Sequence, residues 1–205
     1  MVEAYPIMID LKDKIVIVVG GGQVAYRKIA GLIETGALIT VISPVIHVKI
    51  EKLLTENQIF WKNKLFEPTD LNDALLVIAA TDDREVNENV ALSAQENQLV
   101  NVVDDKEISN FHVPAKLKRG KLTIAVATGG SSPILATVIR NELANIYGES
   151  YEDYLEFLAI SREQVKLLRL NKDLELQILK KITEPAYRTS KSKQKEFLKM
   201  ITSHI

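Results

Sequence analysis

The sequence predicts an α/β fold: a doubly wound parallel sheet followed by a small helical domain. Three observations carry this. β-Branched apolar runs alternate with stretches of helical spacing through the first half of the chain. A glycine-rich turn joins the first run to the first helix. Glycine then disappears from Ser150 onward, where only amphipathic helical patterns remain.

Ile15–Val19 is an unbroken β-branched run, as expected of a strand buried on both faces. Gly20-Gly21-Gly22 ends it. Gln23–Thr35 shows helical spacing, with Ala25, Ile29, Leu32 and Ile33 on one face. Gly36 is placed to end that helix, and Leu38–Ile42 is a second β-branched run. The pattern then predicts a helix over Val45–Asn57, a short strand over Gln58–Lys62 and an apolar strand over Ala74–Ala79. A helix over Asp83–Gln95 and a fifth strand over Leu99–Val103 complete the alternation near Asp105.

Phe111–Val113 and Lys121–Thr128 read as strands flanking PAKLKRG, which suggests a hairpin. Gly129-Gly130-Ser131-Ser132-Pro133 then opens a helix from Ile134 to Tyr147, with Ser132 as cap and Pro133 in its first position. YEDYLEFLAISREQVKLLRL, NKDLELQILKKI and SKQKEFLKMITSHI read as amphipathic helices, with Pro185 between the last two. A helical tail of roughly 55 residues is near the lower limit for independent stability, so it is expected to pack on the first domain or on a second subunit. The expected division is 1–110, 111–148 and 149–205.

The composition fits a folded globular chain: 205 residues, 46% hydrophobic, net charge −1. Near-neutral charge argues against a dedicated nucleic-acid binder. No apolar run reaches the ~18 residues of a membrane helix. The N-terminus lacks the pattern of a secretory signal. There is no cysteine, which removes disulfides, thiolate metal sites and cysteine nucleophiles. A cytoplasmic location is expected.

Gly20, Gly22 and Ala25 fit G-x-G-x-x-G/A between a strand and a helix, the context that gives this fingerprint meaning. Free N–H groups at such a helix start can hold a pyrophosphate. A plain strand-to-helix turn is the competing reading. The acid expected about 20 residues on is absent, because the second β-branched run ends in Ile42-Ser43-Pro44; the residues leave NAD and NADP both open. Thr81 and Asp82 lie at the carboxyl end of the fourth strand, where they would touch the cofactor, cap the next helix, or both. Asp104 follows the fifth strand as a general base or a solvated loop acid. Thr128-Gly129-Gly130-Ser131 is a second glycine-rich helix entry, for a substrate carboxylate or for simple capping. Arg27, Lys28, Lys116, Lys118, Arg119 and Arg140 could meet an anion or simply face water. His47, His112 and His204 show no metal-ligand spacing, so no preformed metal site is expected. Trp61 reads as core.

GGGQVAYRK, AATDD, NVVDD and TGGSSP, in this order and spacing, resemble precorrin-2 dehydrogenase, also the N-terminal module of siroheme synthases. The resemblance covers residues 5–148. It implies a Rossmann-type fold and NAD-dependent oxidation of precorrin-2 to sirohydrochlorin, with Fe²⁺ insertion in some relatives. It further implies a homodimer formed through the segment 111–148. By the same resemblance, Gly20, Gly21, Gly22, Gln23 and Val24 would hold the pyrophosphate, with Ser43 and Pro44 near the ribose and Thr81 and Asp82 near the cofactor. Asp104 would be the catalytic carboxylate and a transient Fe²⁺ contact. Asn101, Thr128, Gly129 and Ser131 would line the tetrapyrrole site. Two other functions compete: a non-catalytic NAD(H)-sensing module, and a chelatase without redox activity.

Overall fold

The computed structural model describes residues 4–203. The chain divides into two compact units, Met1–Val113 and Pro114–Ile205.

In the first unit, β1 (Ile15–Val19), β2 (Leu38–Ile42), β3 (Phe60–Lys62), β4 (Leu76–Ala79) and β5 (Leu99–Val102) form one sheet. Its order is β3-β2-β1-β4-β5 and every pairing is parallel. Helices α1 (Gln23–Ala30), α2 (Val48–Thr55) and α3 (Arg84–Ser93) make three of the crossovers. A 3₁₀ turn at Pro68–Leu71 lies in the fourth, between β3 and β4. β1 is central, and its alternation explains the unbroken apolar run. Val16 and Val18 enter one core with Ile29, Ile39, Val41 and Ile50. Ile17 and Val19 enter the opposite core with Val77, Val90 and Val100. The order reverses between β1 and β4, and in such sheets the ligand crevice opens beyond the strand ends at that point.

Three expectations needed correction here. The helix predicted over Gln23–Thr35 stops at Ala30, and a 3₁₀ turn follows at Ile33–Thr35. Gly31, a poor helix former, sits at that stop, while Gly36 takes φ 73° and turns the chain into β2. The second helix begins only at Val48, because His47 caps it by accepting the Lys49 N–H at Nδ1. Phe111–Val113 is not a strand. The outer edge of β5 is covered by side chains instead: the Val100 N–H donates to Asn110 Oδ1 (2.7 Å) and the Val102 N–H to Ser109 Oγ (2.9 Å).

The second unit starts with an antiparallel hairpin, β6 (Ala115–Arg119) and β7 (Leu122–Val126). Gly120 makes its turn with φ 53°, as two-residue hairpin loops require. PAKLKRG is therefore mostly strand, not loop. α4 (Pro133–Ile146), α5 (Ser150–Leu167), α6 (Lys172–Lys181), α7 (Pro185–Thr189) and α8 (Lys191–Thr202) follow. Pro185 opens α7 rather than merely separating helices, its missing N–H being an orphan there anyway. Phe157 lies at the centre of an aromatic cluster, stacked on Tyr187 and edge-on to Phe197. The buried Tyr154 hydroxyl donates to the Ile182 carbonyl at 2.9 Å, tying α5 to the end of α6. Among the described residues, no helix is long and apolar enough to cross a membrane.

Candidate functional site

The glycine turn is built from two close approaches and one opening. A Cβ on Gly20 would lie 2.3 Å from the Ala80 carbonyl oxygen, and Gly20 also takes φ 118°. A Cβ on Gly21 would lie 2.0 Å from the Val45 carbonyl oxygen. Backbone stands on the other side in both cases, so neither position can carry a side chain without displacing its neighbour. At Gly22 a Cβ would meet nothing within 4 Å. The loop from Ser43 to His47 is drawn over this turn by the His47 N–H, which donates to the Gly21 carbonyl at 2.8 Å.

Gly22 is also the N-cap of α1, and no side chain caps that helix. The next two helices are capped, α2 by His47 and α3 by Asp83. The first N–H groups of any helix lack intrahelical partners. Those of α1, carried by Gln23 and its successors, end at a glycine with open space beside it. Gln23 and Val24 in that first turn are exposed. This donor set, with the positive end of the helix dipole behind it, fits a pyrophosphate. It is the part of the site that a dinucleotide would occupy.

At the end of β2, the Ser43 hydroxyl donates to the Val45 carbonyl at 2.7 Å. Its own carbonyl accepts the Trp61 indole N–H at 2.9 Å. Trp61, expected in the core, is half-buried and holds this loop from β3. Pro44 is exposed.

At the end of β4, Asp83 does the capping: its Oδ1 accepts the Glu85 and Val86 N–H groups at 2.9 and 3.2 Å. Neither Thr81 nor Asp82 has that task. Asp82 stays exposed on an open depression lined by Asp82, Asp83, Arg84 and Glu85. Thr81 is joined instead to Asn87, a residue the sequence reading did not single out. Asn87 is fully buried. Its Oδ1 accepts the Thr81 N–H at 3.1 Å and its Nδ2 donates to Asp104 Oδ1 at 3.1 Å. Val90 is three residues further along α3 and buried, so Asn87 is a polar residue on an otherwise apolar face. That misplaced polarity was the available signal.

Asn101 is 7% exposed and engaged at both ends of its amide. Oδ1 accepts from Lys28 Nζ at 3.0 Å, and Nδ2 donates to the Phe111 carbonyl at 3.2 Å. Burial, aided by the charge of Arg27, pushes the Lys28 ammonium below the usual lysine range.

The first unit thus brings the glycine turn, Ser43, Thr81, Asp82 and Asp104 to the carboxyl edge of one sheet. Thr128, Gly129 and Ser131 belong to the second unit. There the Thr128 hydroxyl accepts the Ser132 N–H at 3.1 Å and lies 3.0 Å from the Ser132 carbonyl. Gly129 and Gly130 take φ 59° and 82°. Ser132 caps α4 by accepting the Leu135 N–H at 3.1 Å. Among the described residues, no group of three or more His, Asp or Glu is placed to hold a metal. His204 lies outside the described residues.

The chain is similar along most of its length to known proteins. An NAD(P)-binding family profile matches residues 7–115, a sirohaem biosynthesis central profile residues 119–146, and a SirC C-terminal domain profile residues 151–197. A precorrin-2 dehydrogenase of Priestia megaterium is 36% identical over 200 residues, covering 98% of this chain and 99% of that protein. A precorrin-2 dehydrogenase of Bacillus subtilis is 41% identical over 62% of the chain. A siroheme synthase of Methylobacillus flagellatus is 42% identical over 80% of the chain, but the match spans only 35% of that longer protein. The solved structure of SirC, a precorrin-2 dehydrogenase, superposes with a TM-score of 0.86, at 36% identity, over 98% of this chain and all of that one.

Proposed function

The chain belongs to the precorrin-2 dehydrogenase family, and on that premise we propose that it oxidises precorrin-2 to sirohydrochlorin with NAD as electron acceptor, a step of siroheme synthesis. The observation that carries the reading is the uncapped start of α1 at Gly22, on the same sheet edge as the Asp104 carboxylate.

NAD, when bound, supplies the two-electron acceptor. The chain's own residues bind and orient. Gly20, Gly21 and Gly22 would let the backbone approach NAD closely, and the N–H groups of Gln23 and Val24 would hold its pyrophosphate. Ser43 and Pro44 would hold the ribose, with Thr81 and Asp82 as cofactor contacts from the end of β4. Oxidation also releases a proton from the macrocycle, and the exposed Asp104 carboxylate is the group proposed to accept it. Asn101, Thr128, Gly129 and Ser131 are proposed to border the tetrapyrrole. For Asn101 this requires release from Lys28, or action through that lysine, whose ammonium suits a substrate rich in carboxylates.

A homodimer formed through residues 111–148 belongs to the same reading. It is supported by exposed apolar side chains on that segment: Val113, Ile134, Leu135 and Val138. A cytoplasmic location is proposed too, and the cysteine-free chain suits a reducing compartment. Fe²⁺ insertion into sirohydrochlorin is proposed as an added activity, with Asp104 as a transient oxygen contact for that substrate ion.

The test is an anaerobic assay of precorrin-2 with and without NAD⁺, followed by Fe²⁺. Sirohydrochlorin is expected only with NAD⁺, and a shift to siroheme above the spontaneous rate adds the chelatase. Asp104→Ala is expected to keep NAD⁺ binding and to lower kcat for oxidation to a small residual rate. Wild-type turnover in that variant removes Asp104 from the mechanism.

A further inference from the structure

We propose that Asn87 is a positioning residue for this oxidation, locking the Asp104 carboxylate to the cofactor-side end of β4; the proposal rests on the reading of Asp104 given above. A primary amide has two donors and one accepting oxygen, and Asn87 engages both donors and the oxygen. Its Oδ1 accepts the Thr81 N–H at 3.1 Å and lies 2.8 Å from the Thr81 hydroxyl. Its Nδ2 donates to the Thr81 carbonyl at 3.2 Å and to Asp104 Oδ1 at 3.1 Å. A backbone N–H can only donate, so the Thr81 N–H fixes which end of the amide is oxygen. The donor end must then face Asp104, and it can serve only an accepting carboxyl oxygen.

This amide joins three separate pieces of chain: the end of β4, the second turn of α3 and the residue two beyond β5. The fold has other means of holding α3. Asp83 caps its start, and Val90 fills the core beneath it. Asp104, by contrast, is exposed, so packing does not hold its rotamer. The hydrogen bond from Asn87 does, and it leaves the second carboxyl oxygen with no partner among the described residues. An oriented acceptor with one oxygen held and one free is what proton removal from a positioned ring demands.

The experiment is a double-mutant cycle in the precorrin-2 assay, with NAD⁺ affinity and the melting temperature measured alongside. Asn87→Ala is expected to lower kcat at least about tenfold, with KM for precorrin-2 and Kd for NAD⁺ changing less than about threefold. In an Asp104→Ala background the same change is expected to leave the residual kcat within about twofold, because the group it positions is gone. Asn87→Asp keeps an acceptor for the Thr81 N–H and loses the donor, and is expected to share the loss. An equal loss in both backgrounds, an unchanged kcat, or failure of both Asn87 variants to fold assigns the residue to the fold and overturns the proposal. If Asp104→Ala turns over like wild type, the assignment of Asp104 fails and this inference falls with it. If wild type produces no sirohydrochlorin with NAD⁺, the functional reading itself fails, which is a different result.

Discussion

Two glycine-rich turns lead into helices in this protein, one in each unit, and on paper they look alike. Gly20-Gly21-Gly22 opens α1, and Gly129-Gly130-Ser131-Ser132 opens α4. Only the first leaves its helix without a side-chain cap. At the second, Ser132 takes the Leu135 N–H, while Thr128 binds the Ser132 N–H. Glycine supplies the turn in both. The residue at the N-cap decides whether the helix's first donors are spent locally or kept for a ligand.

That contrast can be broken or sharpened by substitution. The largest effect is expected from Gly21→Ala, whose Cβ would meet the Val45 carbonyl oxygen at 2.0 Å. Calorimetry should show NAD⁺ affinity falling by about 100-fold or more, since backbone at a phosphate loop tolerates little displacement. Undiminished affinity would mean the turn is not the cofactor site. Next comes Gly22→Ser, which gives α1 the cap that α4 already has. A serine hydroxyl competing for the same N–H groups should weaken NAD⁺ binding about tenfold while leaving the melting temperature level or higher. The reciprocal change, Ser132→Ala, should cost about 1 kcal/mol of stability by denaturant melt and leave NAD⁺ affinity untouched.

The smallest effect is an opposed alkaline titration of the two units. Burial lowers the Lys28 pKa from 10.5, so just below that value the unfolded chain holds more protons and stability rises with pH. Burial raises the Tyr154 pKa from 10.0, helped by Tyr151 and opposed by Arg188. Stability from the neutral phenol is therefore full below pH 10.0 and is lost as pH climbs through the raised value. Relative to Lys28→Met, the wild type should gain stability over this range. Relative to Tyr154→Phe, it should lose stability. Two slopes of the same sign would contradict the assignment of burial as the cause in one of them.

The sheet was legible because its central strands β1 and β4 are buried on both faces, and a run such as Ile15–Val19 admits few other structures. Gly36 announced a left-handed stop correctly, but the helix before it ended early at Gly31, whose effect is only a weak propensity. The reading of Phe111–Val113 failed because the edge of β5 is finished by Ser109 and Asn110 side chains, which imitate a strand's hydrogen bonds without its pattern. At the candidate site, Gly20 and Asp104 stand at chain positions that topology brings to one edge. Asn87 was hidden in REVNENVALS, where Asn87, Glu88 and Asn89 look equivalent until burial separates them. Trp61 does pack on the core as read, but the partner of its indole N–H, the Ser43 carbonyl, is invisible in sequence.

The side-chain cover over β5 has a consequence for the order in which the protein can be made. All five parallel strands and the residues that cover the outer edge of β5 lie before Pro114. Once a ribosome has released that much chain, no hydrogen-bonding strand is still owed by residues to come. The first unit can close on the nascent chain while the hairpin is still in the exit tunnel, and domains made first generally do fold first. An edge left open over those seconds would be free to pair with a neighbouring nascent chain. Ser109 and Asn110 shut it early.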